Sequence, residues 1–589
     1  MKIIHLIGLI VSLLLFNTCK TDEPMRNSFT LSTSVLPSDA GKITPSGGTF
    51  DNVKSIILLA EPNKNWKFER WEGDLTGNTN PISLEMSSDK NVTAIFLVSP
   101  ATYNLSASVS PIEGGKITPS DGTYSEGAFV TISATPNENW KFQRWEGDLS
   151  GSTNPATLEM SSNKVVTAIF SYTPSNLIKT YGGTTYDRGE SIIQTTDGGY
   201  LVAGYSSSSN GDFLGMNKGL EDAFFLRLSS TGEKQWVSNF GGQGGDFAFS
   251  AIATADGGYL LTGYTNSNDG DFNGLNKGIS NIVVIKVNFT GGKEWIKTFG
   301  GSGVDKGESI AQSSDGGYVI TGTTTSNNGD FLGLNKGNED IFILKLNSLG
   351  EKQWVNVFGG GTYDGGWGVI PSNDGGFIVT GLSTSNDGDF TGMNLGFDDI
   401  FILKLNSFGV KQWIKNFGGT SQEGCNSITQ SSDGGYLLTG YTNSNDGDFA
   451  SLSKGNWDTF IMKLGSTGVK QWVKVYGGSG TGFNGVDFGN SIVQLVDGDY
   501  IITGYSSSTN GDFEGILNKG KDDIFVMSLT SSGEKKWIRT YGGQGDDKGN
   551  SIIISSDRKY IITGYTQSID GDFSSLYKGG TDIFVIKFD

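Results

Sequence analysis

The chain has almost no histidine and almost no cysteine. Its single histidine, His5, and one of its two cysteines, Cys19, fall in the first 19 residues, and only Cys425 lies beyond them. Past that segment the sequence therefore excludes Ser-His-Asp and Cys-His catalysis, histidine metal sites and an intramolecular disulfide. Positive charge is also scarce. There are 43 basic against 62 acidic residues, a formal charge of −19. Nucleic acid needs clustered Lys and Arg, so it is excluded as a partner, as is unaided binding to anionic lipid. Arginine numbers only seven and recurs nowhere in register, which argues against a sialidase. Long helical periodicity is missing as well.

Glycine, by contrast, is abundant at 88 residues, while hydrophobic residues make up 36%. The glycines recur at fixed positions, so they read as turns of a repetitive all-β protein rather than as low complexity. Aromatic residues supply the apolar surface for many small sheets.

The N-terminus reads as an address. Met1-Lys2 is basic, Ile3 to Phe16 is almost wholly apolar, and Phe16-Asn17-Thr18-Cys19 precedes a polar stretch. The apolar run is too short for a membrane span, which needs about 20 residues. It resembles a bacterial lipoprotein signal, with Thr18 and Phe16 looser than the usual motif. The resemblance implies a signal peptide over residues 1–18, lipidation of Cys19 and a tether over 19–27. It also implies an outer-membrane lipoprotein exposed at the surface, held to the membrane by its anchor.

Residues 28–97 and 102–171 repeat one another. GKITPSGGTF, NWKFERWEGDLTGNTNP and LEMSSDKNVTAIF return as GKITPSDGTY, NWKFQRWEGDLSGSTNP and LEMSSNKVVTAIF, 74 residues later. These motifs resemble the divergent internalin-type B repeat. That family implies a small β-grasp-like module with a spacer or adhesive role and no catalytic residues. Trp71 and Trp145 are expected in the cores.

From residue 177 a longer unit recurs. Its DGGY-type turn begins at Asp197, Asp256, Asp315, Asp374, Asp433, Asp497 and Asp557, about 59 residues apart, with an insertion at Gly480 to Val486. Each copy reads as four short strands, as SIIQT, YLVAGY, AFFLRL and QWVSNF do in the first, which is the pattern of a propeller blade. The last copy stops after its third strand, while LIKTYGG at 177–183 reads as a lone fourth strand. The expected architecture is two small modules followed by a seven-bladed β-propeller over 177–589, with 177–183 completing the last blade. The units resemble bacterial propeller repeats of the SBBP and delta-60 types, which imply a fold but no single function. Fourth-strand tryptophans are expected between blades, and Cys425, in a glycine slot, is expected as a buried inert thiol.

Acidic residues recur on one face. Asp212, Asp271, Asp330, Asp389, Asp448, Asp512 and Asp572 stand in [ND]GDF. A second set, Asp187 to Asp547, links the copies, and a third precedes each third strand, with Asn281 the exception. Three readings stand. The acids cap turns and bond amides beside Lys218, Lys277, Lys336, Lys454, Lys519 and Lys578. They ligate calcium, the GDF aspartates being the candidates. Or two of them serve a glycosidase. Near-identity of the acids in every copy speaks against catalysis, and no catalytic residue is assigned. The function expected is binding or adhesion toward a glycan or protein; the alternative is a carbohydrate-active enzyme.

Overall fold

The computed structural model describes residues 28–51, 54–137, 140–172, 177–479, 485–514 and 518–589. The expected signal peptide, Cys19 and the tether lie outside the described residues, as do residues 480–484 of the insertion. The chain divides into two compact units, Met1–Pro174 and Ser175–Asp589.

The first unit contains the same pair of sheets twice. In the first copy Gly48–Asp51, Ser28–Leu36, Lys90–Val98 and Trp66–Gly73 form a mixed sheet in that order, with Ser28–Leu36 parallel to Lys90–Val98. Gly41–Thr44, Ser55–Pro62 and Ile82–Glu85 form a three-stranded sheet. Leu31, Trp71, Ala94 and Phe96 of the one meet Ile43, Leu58 and Leu84 of the other in a single core. Trp71 and Trp145 are 1% exposed, and their indole N–H groups donate to Thr79 O and Thr153 O at 2.9 Å. Such burial follows from aromatic area dominating a small core.

The second unit forms seven four-stranded antiparallel sheets among the described residues. In the first, Asp187–Gln194, Tyr200–Ser206, Asp222–Leu228 and Lys234–Phe240 pair in sequence order. Third strands such as DIFILKL at Asp340–Leu346 are buried at every residue, because neighbouring sheets cover both faces. The first strand of each repeat lies against that of the next, and Asp547–Ile554 lies back against Asp187–Gln194. There Ile192 N donates to Ser551 Oγ at 3.4 Å. Leu177–Tyr181 pairs antiparallel with Asp582–Phe588, so the last sheet takes its fourth strand from the start of the unit. A cyclic series of four-stranded sheets is consistent with a β-propeller, in which little edge is left unpaired.

The fourth-strand tryptophans join one sheet to the next. The Trp295 ring lies against the following hairpin at Gly350, where φ is +73 and a Cβ would stand 2.7 Å from the ring. Leu177 holds the same place against Gly232. Cys425 is fully buried, and burial pushes its thiol up to about 12, so it packs as a small apolar group.

Candidate functional site

The three acidic sets do different work. The linking acids are wholly buried and fully bonded. Asp246 accepts from Gly242 N at 2.8 Å, from Ser267 Oγ at 2.7 Å and from Thr265 Oγ1. The GDF aspartates join neighbouring repeats. Asp330 Oδ2 takes Lys277 of the preceding repeat at 3.2 Å and Gly300 N at 3.0 Å, while its other oxygen takes Lys352. Asp212, Asp271, Asp389 and Asp512 likewise hold two lysines each. Asp448 and Asp572 hold Lys470 and Lys519. In the slot that holds Lys218 or Lys277 elsewhere, the repeat before Asp448 has Leu395. The calcium candidates are thus engaged by ammonium groups and amides. The glycine of each GDF is required: Gly211 has φ +59, and a Cβ there would come 2.2 Å from Gly182 O.

The third set is unusual. Asp222 Oδ2 accepts from Lys218 N and Asn239 Nδ2, both at 2.9 Å. Its Oδ1 is buried without a partner, as is Oδ1 of Asp340, Asp399, Asp458, Asp523 and Asp582. Burial, with the linking acid beside it, pushes Asp222 and Asp582 up to about 7 and Asp340, Asp399 and Asp523 up to about 6. In the one exceptional repeat, Asn281 Nδ2 donates to Gly301 O at 3.2 Å and to Asp305 Oδ2 at 3.3 Å.

A second arrangement breaks the repetition. Each first strand carries a β-bulge, and the residue left unpaired is Glu190, Phe249, Glu308, Trp367, Asn426, Asn490 or Asn550. A bulge re-aims its extra side chain. Here all seven line one cavity of about 330 Å3. Asn550 Nδ2 donates to Glu190 Oε2 at 2.9 Å, and Asn426 Nδ2 to Asn490 Oδ1 at 3.1 Å. Burial pushes Glu190 and Glu308 up to about 7; the charge of Glu308 adds to the first and that of Glu339 to the second. Two carboxyls held well above their ordinary range, an indole, a phenyl and three amides on one axis can bind polar ligands or exchange a proton near neutral pH.

Around this axis the strand ends form a mouth that also varies between repeats. Before the third strands stand Glu221, Ser280, Glu339, Asp398, Trp457, Asp522 and Thr581. Tyr205, Tyr264, Tyr441, Tyr505 and Tyr565 occupy one second-strand slot. Arg188 lies 4.2 Å over the Tyr565 ring, and Trp367 is bonded to the Tyr363 hydroxyl. The sequence alone assigns no role to the axial ring. Its signal was a variable column directly before a nearly constant serine, as at Glu190-Ser191 and Phe249-Ser250.

Residues 31–100 and 105–174 match the divergent InlB B-repeat domain. The chain carries two of these domains. The InlB-type repeats are the two copies whose paired sheets make up the first unit. No curated protein matches the chain. Solved structures similar to it include a protein of unknown function from Bacteroides caccae, at 10% identity over 62% of this chain and 94% of that one, TM-score 0.31. A luciferin-regenerating enzyme is 8% identical over 70% of this chain and 95% of its own, TM-score 0.32. A putative gluconolactonase is 9% identical over 70% and 93%, TM-score 0.29. Likenesses this low place no activity on this chain.

Proposed function

We propose that the chain is a lipid-anchored bacterial surface protein that binds a ligand rather than transforming one. In this reading a signal peptide over residues 1–18 precedes lipidated Cys19 at the outer-membrane surface. The InlB-type repeats form a stalk. A seven-bladed propeller of SBBP/delta-60-type repeats presents its mouth to a glycan or a protein. The observation that carries the reading is a contrast. The scaffold positions repeat from blade to blade, while the axial ring and the mouth differ, so those surfaces are free of the demands of packing and open to recognition. No cofactor is needed.

Probing an array of glycans and surface proteins with the full chain is expected to yield a ligand whose binding falls about tenfold in Trp367→Ala, the loss typical of a central aromatic anchor. Binding indifferent to that change would place the ligand elsewhere. Cys19→Ala is expected to move the protein from the membrane to the soluble fraction, and retention would refute the anchor.

One observation favours a second reading, a carbohydrate-active enzyme. Glu190 and Glu308 share the channel and both titrate near neutrality, as a general acid requires. Release of reducing sugar from a polysaccharide, abolished by Glu308→Gln, would establish it.

A further inference from the structure

One place in the mouth sets a tryptophan among stacked rings. A cavity of about 860 Å3 opens between the fifth, sixth and seventh repeats, bounded by Trp457, Phe488, Tyr505, Asp522, Asp546 and Lys548. Three of these are rings in near-parallel succession. Trp457 and Phe488 have centroids 5.9 Å apart at 29°, and Phe488 and Tyr505 5.1 Å apart at 4°. Tyr441 supports them, 4.5 Å from Phe488 and edge-on to Trp457 at 5.3 Å. The backbone under Trp457 is held, since its carbonyl accepts from Asp487 N at 2.8 Å. All three rings are half-buried, so the stack is partly open to solvent.

The charged groups at this place balance. Lys548 Nζ stands 3.1 Å from Asp522 Oδ2 and 3.8 Å from the centre of the Tyr505 ring. Lys521 Nζ stands 3.5 Å from Asp546 Oδ2. Two acids meet two bases, in a chain whose overall charge is −19. A cationic ligand would face Lys548 where it covers Tyr505. An anionic one would face the two carboxylates. A wholly apolar one would strip water from both ion pairs without replacing their hydrogen bonds. What remains is a neutral ligand with a flat apolar face and a rim of hydroxyls. Its C–H face would lie on the rings, and its hydroxyls would bond to the carboxylates and ammonium groups.

We propose that this cavity is a subsite for a neutral oligosaccharide, with Trp457 and Phe488 as its stacking platform and Asp522, Asp546 and Lys548 as its hydroxyl partners. The volume lies within the ordinary range of ligand sites. The proposal rests on the mouth being the binding surface and names its ligand class. At the Trp457 slot no other repeat has an aromatic residue, so one site is expected per chain.

The test is titration of the full chain, followed by calorimetry and tryptophan fluorescence, with five probes. Three are neutral, the hexaoses of glucose, mannose and xylose; hexagalacturonate is anionic and the chitosan hexamer cationic. At least one neutral hexaose is expected to bind with one site per chain. Its affinity should fall about tenfold or more in Trp457→Ala and stay within a few-fold in Trp457→Phe, which keeps a ring. Agreement of the variants' melting temperatures with wild type separates lost contact from lost fold, and Phe488→Leu gives an independent variant. Binding of a neutral hexaose that ignores Trp457→Ala and Phe488→Leu but falls in Trp367→Ala would overturn the subsite and leave the mouth reading standing. Binding by the charged probes alone would overturn the neutral class. Binding by none overturns the subsite, and the protein arm of the array then decides the mouth reading separately.

Discussion

Six aspartates at one slot each bury an oxygen beside a second acid, and the seventh slot holds Asn281. At that slot Asn281 Nδ2 donates to Gly301 O and Asp305 Oδ2, and a proton on Asp340 or Asp222 would supply the equivalent donor. The sign follows. The folded value of Asp340, about 6, exceeds the unfolded value near 4, so the native state holds the extra proton. Its stabilisation is present at low pH and is lost as pH rises through about 6, and through about 7 for Asp222 and Asp582. Thermal melts of the wild type should therefore decline from pH 5 to pH 8. Asp340→Asn should flatten part of that decline and stabilise by on the order of 2 kcal/mol at pH 8 and about half as much at pH 5. Equal destabilisation at both values would refute the shared proton. At Asp256, Asp315, Asp374 and Asp433 burial is outweighed by bonds to Lys286, Lys345, Lys404 and Lys463, and all four fall to about 2. Their contribution is lost as pH drops below about 4, so stability should peak between the two windows. The sequence displays these acids as equivalent letters, because burial and neighbouring charge, not residue type, separate their roles.

Elements make the ring through two kinds of joint. One is the pairing of Leu177–Tyr181 with Asp582–Phe588. A truncation that begins at Thr184 exposes a long apolar edge and should melt at a lower temperature, with a broader transition, than one beginning at Pro174. Coincident melts would show that the closing strand is dispensable. The other joint is the tryptophan-to-hairpin contact. Gly350→Ala places a methyl group against Trp295 at a φ that alanine avoids, and should cost about 1–3 kcal/mol in a denaturant melt. The strand pattern and the stray LIKTYGG were legible because strands have a period of two and glycine marks their turns. The bulges were not. An extra residue in a strand leaves no mark in hydrophobic alternation until its partner strand is known.

At the scale of the molecule, a charge of −19 is tolerable because the acids are locally compensated. The GDF aspartates sit between lysines of adjacent repeats, so calcium would have to displace ammonium groups already in place. Millimolar calcium and magnesium at matched ionic strength should accordingly give melting temperatures within about 1 °C of each other. A calcium-specific rise would establish the metal reading of those residues. What the sequence determined by itself is the all-β class, the two InlB-type copies, the recurrence of four-strand units and the scarcity of histidine, His5 being the only one. These follow from composition and from period, which are local properties of a chain. What only the tertiary structure decided is which side chains meet. Glu190 and Glu308, or Trp457 and Tyr505, lie far apart in sequence and in different repeats. They come together because a closed ring of bulged strands turns corresponding positions toward one axis and one mouth.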